Sequence, residues 1–184
     1  MSGPLYSLKH EHRVIERALR ALDGICLRVE LGECVPQSAV AQIVEFISAF
    51  VDRFHHGKEE TYLFPALERQ GILREGGPLA AIELEHETER ALTDVMLDAA
   101  AAFGELDNDA KRRFVEAGRR YTGHMVAHIR AEDGLLFRLA DEILEEADIA
   151  RLREGFECAE RELGPRTRLE YEDLATQLEA AWLV

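Results

Sequence analysis

Apolar residues recur at intervals of three and four along most of the chain, which is the spacing of an amphipathic α-helix. In the first stretch these residues are Leu5, Leu8, Ile15, Leu19 and Leu22. The pattern predicts a first helix that ends at LGECVP, followed by helices over about 38–70, 79–103, 110–145, 148–162 and 168–182. No stretch of useful length alternates between apolar and polar residues, so no strand is predicted.

Four of the six predicted helices are long, and short connections join them. Such helices pack as antiparallel neighbours. The sequence therefore predicts an all-α fold, an up-down antiparallel four-helix bundle with additional C-terminal helices. We expect residues 1–145 to form the bundle domain and residues 146–184 to form a C-terminal helical extension packed on the same domain. The apolar spacing of this extension also suits the formation of a homodimer.

Composition and charge narrow the possible partners and the compartment. The 184 residues have a formal net charge of −14. Nucleic acids and anionic membrane surfaces attract positive charge, so neither is expected as a partner. No segment resembles a signal peptide or approaches the roughly 18 consecutive apolar residues of a membrane span. The three cysteines form no C-x-x-C pair, which is typical of free thiols in a reducing compartment, and we expect a cytoplasmic protein.

Each of the four long predicted helices has one histidine on its apolar stripe, directed at the core. These histidines are His12, His55, His86 and His128. Two of the helices add a glutamate four residues later, at Glu59 and Glu132. Both pairs fit the pattern H-x-x-x-E-[ED]-x-x-L-F, and the histidines of the two helix pairs are separated by nearly equal lengths of chain. Because buried charged groups need a partner or a metal, this repeated arrangement predicts a metal site.

The predicted ligand set favours iron or manganese. Four imidazoles and two carboxylates exceed what one tetrahedral zinc ion binds. Histidine and carboxylate without thiolate suit iron or manganese. Because each carboxylate can bridge, the six side chains can hold two ions, each with two nitrogens and two oxygens. Helical bundles with inward histidines and glutamates are a known scaffold for carboxylate-bridged di-iron sites.

Neighbouring residues offer alternatives to these ligands. His56 and Glu60 form a second four-residue pair, but the α-helical rotation of about 100° per residue directs them away from the apolar stripe. Asp133 is the alternative to Glu132. We favour Glu132 because a step of four residues returns closer to the face of His128 than a step of five.

Four stretches of the chain resemble the helices of hemerythrin-like (HHE) domains. They are EHRVIERAL, FHHGKEETYLFPAL, LEHETERAL and HIRAEDGLLF, and the resemblance covers roughly residues 5–140. It implies an up-down four-helix bundle that holds two non-haem iron ions, bridged by an oxo group and by carboxylates. By position, it implies terminal ligands at His12, His55, His86 and His128 and bridging carboxylates at Glu59 and Glu132.

The resemblance also sets expectations about function. The oxygen carriers of this family have a second histidine four residues after the one on the third helix, where this chain has Arg90. Fewer imidazoles leave more open coordination positions, which favours a protein that binds, senses or reacts with O2, peroxide or NO. The alternatives are an iron-handling or iron–sulfur-repair protein and a di-iron peroxidase-like enzyme. His124 is a candidate fifth ligand or hydrogen-bonding neighbour, and Tyr62 and Tyr121 are candidate donors to a bound ligand or structural tyrosines.

Overall fold

The computed structural model describes residues 3–104, 107–164 and 166–183, and over these residues the chain forms six helices and no strand. The helices are α1 (Pro4–Glu30), α2 (37–69), α3 (Pro78–Ala101), α4 (108–143), α5 (Glu146–Arg161) and α6 (Arg168–Trp182). All six predicted helices are therefore confirmed, with ends that differ by a few residues. The predicted domain ends at residues 1 and 184 lie outside the described residues.

Two helices change from α-helical to π-helical hydrogen bonding in mid-course. In α2, Gln37–Phe46 is followed by the π-helical segments Ile47–His56 and Glu59–Leu63, and then by Phe64–Arg69. In α4, the π-helical segment Glu132–Leu136 separates Asn108–Ala131 from Phe137–Ile143. A π-helix closes its hydrogen bonds over five residues rather than four and often occurs at functional sites. Each of the three π-helical segments contains a predicted metal ligand.

The apolar stripes pack the first four helices around one another. α1 packs on α2 and α4, and α3 packs on the same two helices. α6 lies along α1 and also contacts α2, whereas α5 contacts α1 and the segment Glu59–Leu63. Both C-terminal helices therefore pack against helices that contain predicted ligands. None of the described helices is long and apolar enough to cross a membrane.

The apolar interior consists of two clusters on either side of a polar layer. In each of the first four helices, the one or two predicted ligands lie between a residue of one cluster and a residue of the other. From α1 to α4, these flanking residues are Leu8 and Val14, Phe54 and Leu63, Ile82 and Leu92, and Met125 and Leu136. The predicted ligands thus lie at one level of the fold, with apolar packing above and below them.

A glycine allows α6 to approach α1 closely. A Cβ atom on Gly24 would lie 1.8 Å from the carbonyl oxygen of Trp182. One turn further along α1, the guanidinium carbon of Arg28 lies 5.0 Å from the centroid of the Trp182 ring, within the range of a cation–π contact. Glycine in mid-helix is unfavourable relative to alanine by about 0.5–1 kcal/mol, so the close approach offsets a local disadvantage.

We expect Gly24→Ala to destabilise the protein by about 1–3 kcal/mol, because the added methyl group must push the backbone of α6 away from α1. Thermal unfolding followed by circular dichroism measures this change. Gly123 provides the matched control, because it is exposed in α4 and no described atom lies within 4 Å of its ideal Cβ position. Gly123→Ala should raise the melting temperature, since alanine favours the helix by about 1 kcal/mol. Equal melting of wild type and Gly24→Ala would contradict the packing of α6.

Candidate metal centre

The structure brings the six predicted ligand residues together in the polar layer. Two overlapping groups have ligand atoms that all lie within 4.8 Å of one another: His12, His55, Glu59 and Glu132 form one, and His56, Glu59, His86 and His128 form the other. The side chains of both groups are at most 1% exposed. The predicted positions thus converge, together with one residue that was not predicted.

The two glutamates lie between the two groups of histidines. Glu59 Oε1 is 3.5 Å from Nε2 of His55, and its Oε2 is 3.6 Å from Nε2 of His86. Glu132 Oε2 is 3.2 Å from Nε2 of His12 and 3.3 Å from Nε2 of His128. Each carboxylate therefore faces a histidine of both groups, which is the geometry that a bridging carboxylate needs.

His56 is the added member, and the prediction that its side chain points away from the ligands is wrong. Its ring is completely buried and stacks on the ring of His86, with centroids 3.9 Å apart and an angle of 13° between the planes. The prediction assumed the α-helical rotation of about 100° per residue. In the π-helical segment Ile47–His56, each residue turns through a smaller angle, so His55 and His56 both lie on the inner face.

The outer nitrogen of four histidines faces a carboxylate on the neighbouring helix. The distances from Nδ1 to the carboxylate oxygen are 2.9 Å for His55–Glu11, 2.8 Å for His86–Glu60, 2.9 Å for His128–Glu85 and 2.8 Å for His12–Asp133. The carboxylates thus come from α1, α2, α3 and α4 in turn, and each contacts the histidine of the next helix around the ring. A carboxylate at Nδ1 fixes the ring and leaves Nε2 available to a metal.

This outer layer includes three of the residues that the sequence singled out. Asp133 lies behind His12, and Glu60 lies behind His86, so neither belongs to the two ligand groups. Arg90 donates a hydrogen bond to Glu60, and it therefore supports the same outer position. The described residues nevertheless include five buried imidazoles at the centre, because His56 adds the one that position 90 does not provide. The predicted shortage of imidazoles was therefore wrong.

His124 also lies behind the centre. Its Nδ1 is 3.0 Å from Oε1 of Glu89, and it is not a member of either ligand group. Glu89 is completely buried, and its second oxygen, Oε2, lies 3.5 Å from Nε2 of His56. Of the two roles considered for His124, the structure therefore matches the hydrogen-bonding one, directed at Glu89.

The two candidate tyrosines have different surroundings. Tyr121 is completely buried, and burial raises the pKa of its hydroxyl well above the ordinary value, with a further increase from the carboxylates of Asp52 and Glu89. Tyr62 packs on Phe156 of α5, with ring centroids 6.2 Å apart. Tyr121 therefore belongs to the polar surroundings of Glu89, and Tyr62 belongs to the contact with the C-terminal helices.

The buried nitrogen and oxygen atoms of this layer that lack hydrogen-bond partners are suited to bind metal cations. Buried polar atoms are normally hydrogen-bonded. Within the described part of the chain, a set of buried atoms at the centre has no hydrogen-bond partner: Nε2 of His12, His55, His56, His86 and His128 and both carboxylate oxygens of Glu59 and Glu132. Imidazole nitrogens and carboxylate oxygens without thiolate are typical ligands of iron and manganese. Positive ions between these atoms would satisfy every one of them.

The pKa shifts of the centre favour a proton on some of its groups and a charge on others. Burial raises the pKa of Glu59 well above its usual value, and the charge of Glu132 raises it further. Burial lowers the pKa of His12 and of His128, but Glu132 and the outer carboxylates raise both by more. The pKa of Glu132 falls well below its usual value, because the two histidine charges outweigh the effect of burial. His55 differs, since burial lowers its pKa to about 4.

We expect metal binding to release protons, because the raised pKa values of Glu59, His12 and His128 favour the protonated side chains in the metal-free protein, and these side chains must lose their protons to become ligands. All three pKa values are raised, so the apparent metal affinity should fall as the pH decreases. Calorimetric titration with Fe²⁺ under argon, in two buffers of different ionisation enthalpy, measures the number of protons. His12→Gln should release fewer protons than the wild type. Equal heats in the two buffers would contradict this protonation pattern.

Comparison with known proteins agrees with this geometry. The model of the family described as the hemerythrin HHE cation binding domain matches residues 3–140. The chain is also 26% identical, over 153 residues, to proteins described as uncharacterized from Mycobacterium bovis and Mycobacterium tuberculosis. This similarity covers 83% of the chain and 59% of each relative, so the chain spans about 59% of the length of the curated relatives that it matches. No solved structure matches the chain.

The family match extends over most of the sequence and contains α1, α2 and α3 and nearly all of α4. It therefore includes both groups of candidate ligands and the four outer carboxylates. The chain belongs to the hemerythrin HHE cation-binding domain family.

Proposed function

We propose that this is a non-haem di-iron protein that binds, senses or reacts with O2 or related small oxidants, namely peroxide and NO. The observation that supports it best is the pair of donor groups that converge on two adjacent positions and have Glu59 in common. We assign His12 and His55 to the first ion, His56, His86 and His128 to the second ion, and Glu59 and Glu132 to both.

We also propose that α1 to α4 form an up-down four-helix bundle domain over residues 1–145, with residues 146–184 as an extension packed on it. The contacts of α1 and α3 with both α2 and α4 support this arrangement. The outer carboxylates support it as well, because each contacts the histidine of the next helix in the ring.

The burial of the centre limits what can react there. Bound iron ions supply one-electron chemistry and coordination positions for an exogenous ligand. The donor side chains are at most 1% exposed and lie between two apolar clusters, so the protein excludes bulk water and large substrates from them. O2, peroxide and NO are small enough to reach such a centre through packed helices, and a sugar, nucleotide or peptide is not.

The surrounding residues orient the ligands and hold protons at defined atoms. With its proton on Nδ1, each of four histidines donates to an outer carboxylate and directs Nε2 inward. Glu89 contributes a buried acceptor close to His56, and the ring of His124 fixes its other oxygen. His124 is about one-third exposed, so the Glu89–His124 pair connects the centre with solvent.

The proposal predicts two irons per chain after reconstitution with Fe²⁺ under argon. Addition of O2 should produce an absorption change in the near ultraviolet, and both irons should remain bound through several cycles of oxidation and reduction, because five imidazoles and two shared carboxylates hold them. Metal analysis and optical spectra measure both results. One tightly held zinc without iron would contradict the proposal. Transfer of iron to a chelator during the cycles would favour iron handling, and repeated turnover of peroxide would favour an enzyme.

A further inference from the structure

A buried lysine adjoins the centre. Lys58 directly precedes Glu59 and is 1% exposed, although a lysine ammonium group is strongly hydrated in water. Its Nζ contacts the carboxylate of Glu11, which is completely buried, and lies 4.1 Å from the centroid of the Phe54 ring and 4.8 Å from that of Phe156. Desolvation makes a buried ion pair of this kind a weak contributor to stability, so its presence calls for another role.

The two oxygens of Glu11 have different partners. Oε1 accepts hydrogen bonds from Lys58 and from the hydroxyl of Ser7, the latter at 3.1 Å. Oε2 lies 2.9 Å from Nδ1 of His55. With Oε1 held by two donors, the carboxylate cannot rotate, and it therefore fixes the ring of His55 with Nε2 directed at Glu59, 3.5 Å away.

The outer carboxylate behind His55, Glu11, is more deeply buried than the outer carboxylates behind the other three histidines. The outer carboxylates Glu60, Glu85 and Asp133 have side-chain exposures of 28%, 37% and 26%, and the arginines that pair with Glu60 and Asp133 are 38% and 52% exposed. Water can replace a lost hydrogen-bond partner at these three carboxylates. Water cannot readily do so at Glu11, and charges interact more strongly where solvent does not screen them.

The C-terminal extension contributes to this burial. Phe156 lies in α5, outside the residues 3–140 that match the family, and its ring contacts the Lys58 ammonium group, as does the ring of the bundle's own Phe54. Gly155, its neighbour, lies against the ring of Tyr62, which brings α5 close to α2 at this point. A segment beyond the matched region therefore completes the environment of a residue next to the centre.

We propose that Lys58 is a positioning residue for the metal centre. Lys58 fixes Glu11, and Glu11 in turn holds His55 in place for the ion that His12 and His55 bind. Phe156 shields the Lys58–Glu11 ion pair from water. This inference rests on the proposed two-ion centre. It assigns Lys58 a role at one ion and predicts that the other ion does not depend on it.

The test compares Lys58→Met with Arg90→Met, which breaks the equivalent base–carboxylate contact behind His86. Calorimetric titration with Fe²⁺ under argon resolves the two binding steps, and His12→Ala identifies the step that belongs to the first ion. Lys58→Met should weaken that step by about 10- to 100-fold and leave the other step nearly unchanged. Arg90→Met should affect only the other step, and by less, because solvent replaces the exposed arginine.

A second measurement separates positioning from folding. The Nδ1–H proton of His55 gives a hyperfine-shifted NMR signal in the iron-loaded protein, and it is assigned as the signal that Glu11→Gln shifts, because Glu11 is the partner of His55 Nδ1. Its exchange with solvent should accelerate in Lys58→Met and, to a smaller extent, in Phe156→Ala. If Lys58→Met does not fold, Lys58→Met combined with Glu11→Gln removes both charges and leaves no buried ion unpaired, and the same weakened step is expected.

Three outcomes would overturn the inference: both binding steps unchanged in Lys58→Met, both weakened equally along with a lower melting temperature, or wild-type binding by the double variant. Failure of the wild-type protein to bind two irons is a different result. It would contradict the proposed function itself, and not only the role of Lys58.

Discussion

Glu59→Ala should lose both metal ions, the largest effect expected of any single substitution in this chain. Glu59 is the residue common to both ligand groups, with one oxygen 3.5 Å from Nε2 of His55 and the other 3.6 Å from Nε2 of His86. Its loss removes a ligand from each ion and the link between them. The iron content, measured by metal analysis after reconstitution with Fe²⁺ under argon, should decrease from two irons per chain to almost none.

Glu60→Ala is the matched control, because Glu60 is the next residue but is hydrogen-bonded to the outer nitrogen of His86 and to the side chain of Arg90, and among the described residues it belongs to neither ligand group. It should retain both ions, with one of them bound about 10-fold more weakly. The metal-free Glu59→Ala protein should unfold at or above the temperature of metal-free wild type, because the substitution removes a buried and unpaired carboxyl group. Full occupancy in Glu59→Ala with loss in Glu60→Ala would show that the register on α2 is shifted by one residue.

The helices could be predicted from the sequence, and so could the level in the fold at which the candidate ligands lie, because several signals in the sequence agree. The apolar positions follow a helical period over six stretches, and glycine or proline interrupts that period between consecutive helices, except between α4 and α5. The H-x-x-x-E pairs on α2 and α4 occur within the same local pattern, so His55 and Glu59 could be matched with His128 and Glu132. Repetition at corresponding positions distinguished them from isolated surface pairs.

The position of His56 could not be predicted from helical periodicity, because the hydrogen-bonding pattern of α2 changes at that point. A π-helical segment changes the angle between successive side chains, and no single residue in ISAFVDRFHH marks it. The inference from Arg90 that the centre lacks an imidazole failed for the same reason. Four histidines lie on the inward faces expected of ideal α-helices, whereas the fifth, His56, comes from a segment that departs from α-helical geometry.

Two of the four outer carboxylates, Glu11 and Glu85, were missed as members of the site, although the sequence contained a signal for them. Glu11 directly precedes His12, and Glu85 directly precedes His86. A residue adjacent to a ligand is rotated by about 100° from it on an α-helix, so it faces the neighbouring helix instead of the centre. Periodicity shows that such a carboxylate leaves the apolar stripe. It does not show which histidine it meets, because that depends on the order of the helices in space.

The structure therefore reverses one expectation, and His56→Ala should lose the ion that His86 and His128 bind while retaining the ion at His12 and His55. His56 shares a ligand group with His86 and His128, and its Nε2 is buried without a hydrogen-bond partner among the described residues. Without it, the second ion has two imidazoles instead of three. Iron analysis should give about one iron per chain, or a second iron that a competing chelator removes readily.

His56→Phe distinguishes ligation from packing, because a phenyl ring can still stack on His86 as the imidazole does at 3.9 Å but provides no nitrogen. It should lose the same iron as His56→Ala while melting closer to the wild type in the metal-free state. His10→Ala controls for the loss of a histidine in general, since His10 is 45% exposed and pairs with Glu172 at the surface, and it should retain two irons. Two tightly bound irons in both His56 variants would mean that His56 only packs against the centre, and that the second ion is held by His86, His128 and the shared carboxylates alone.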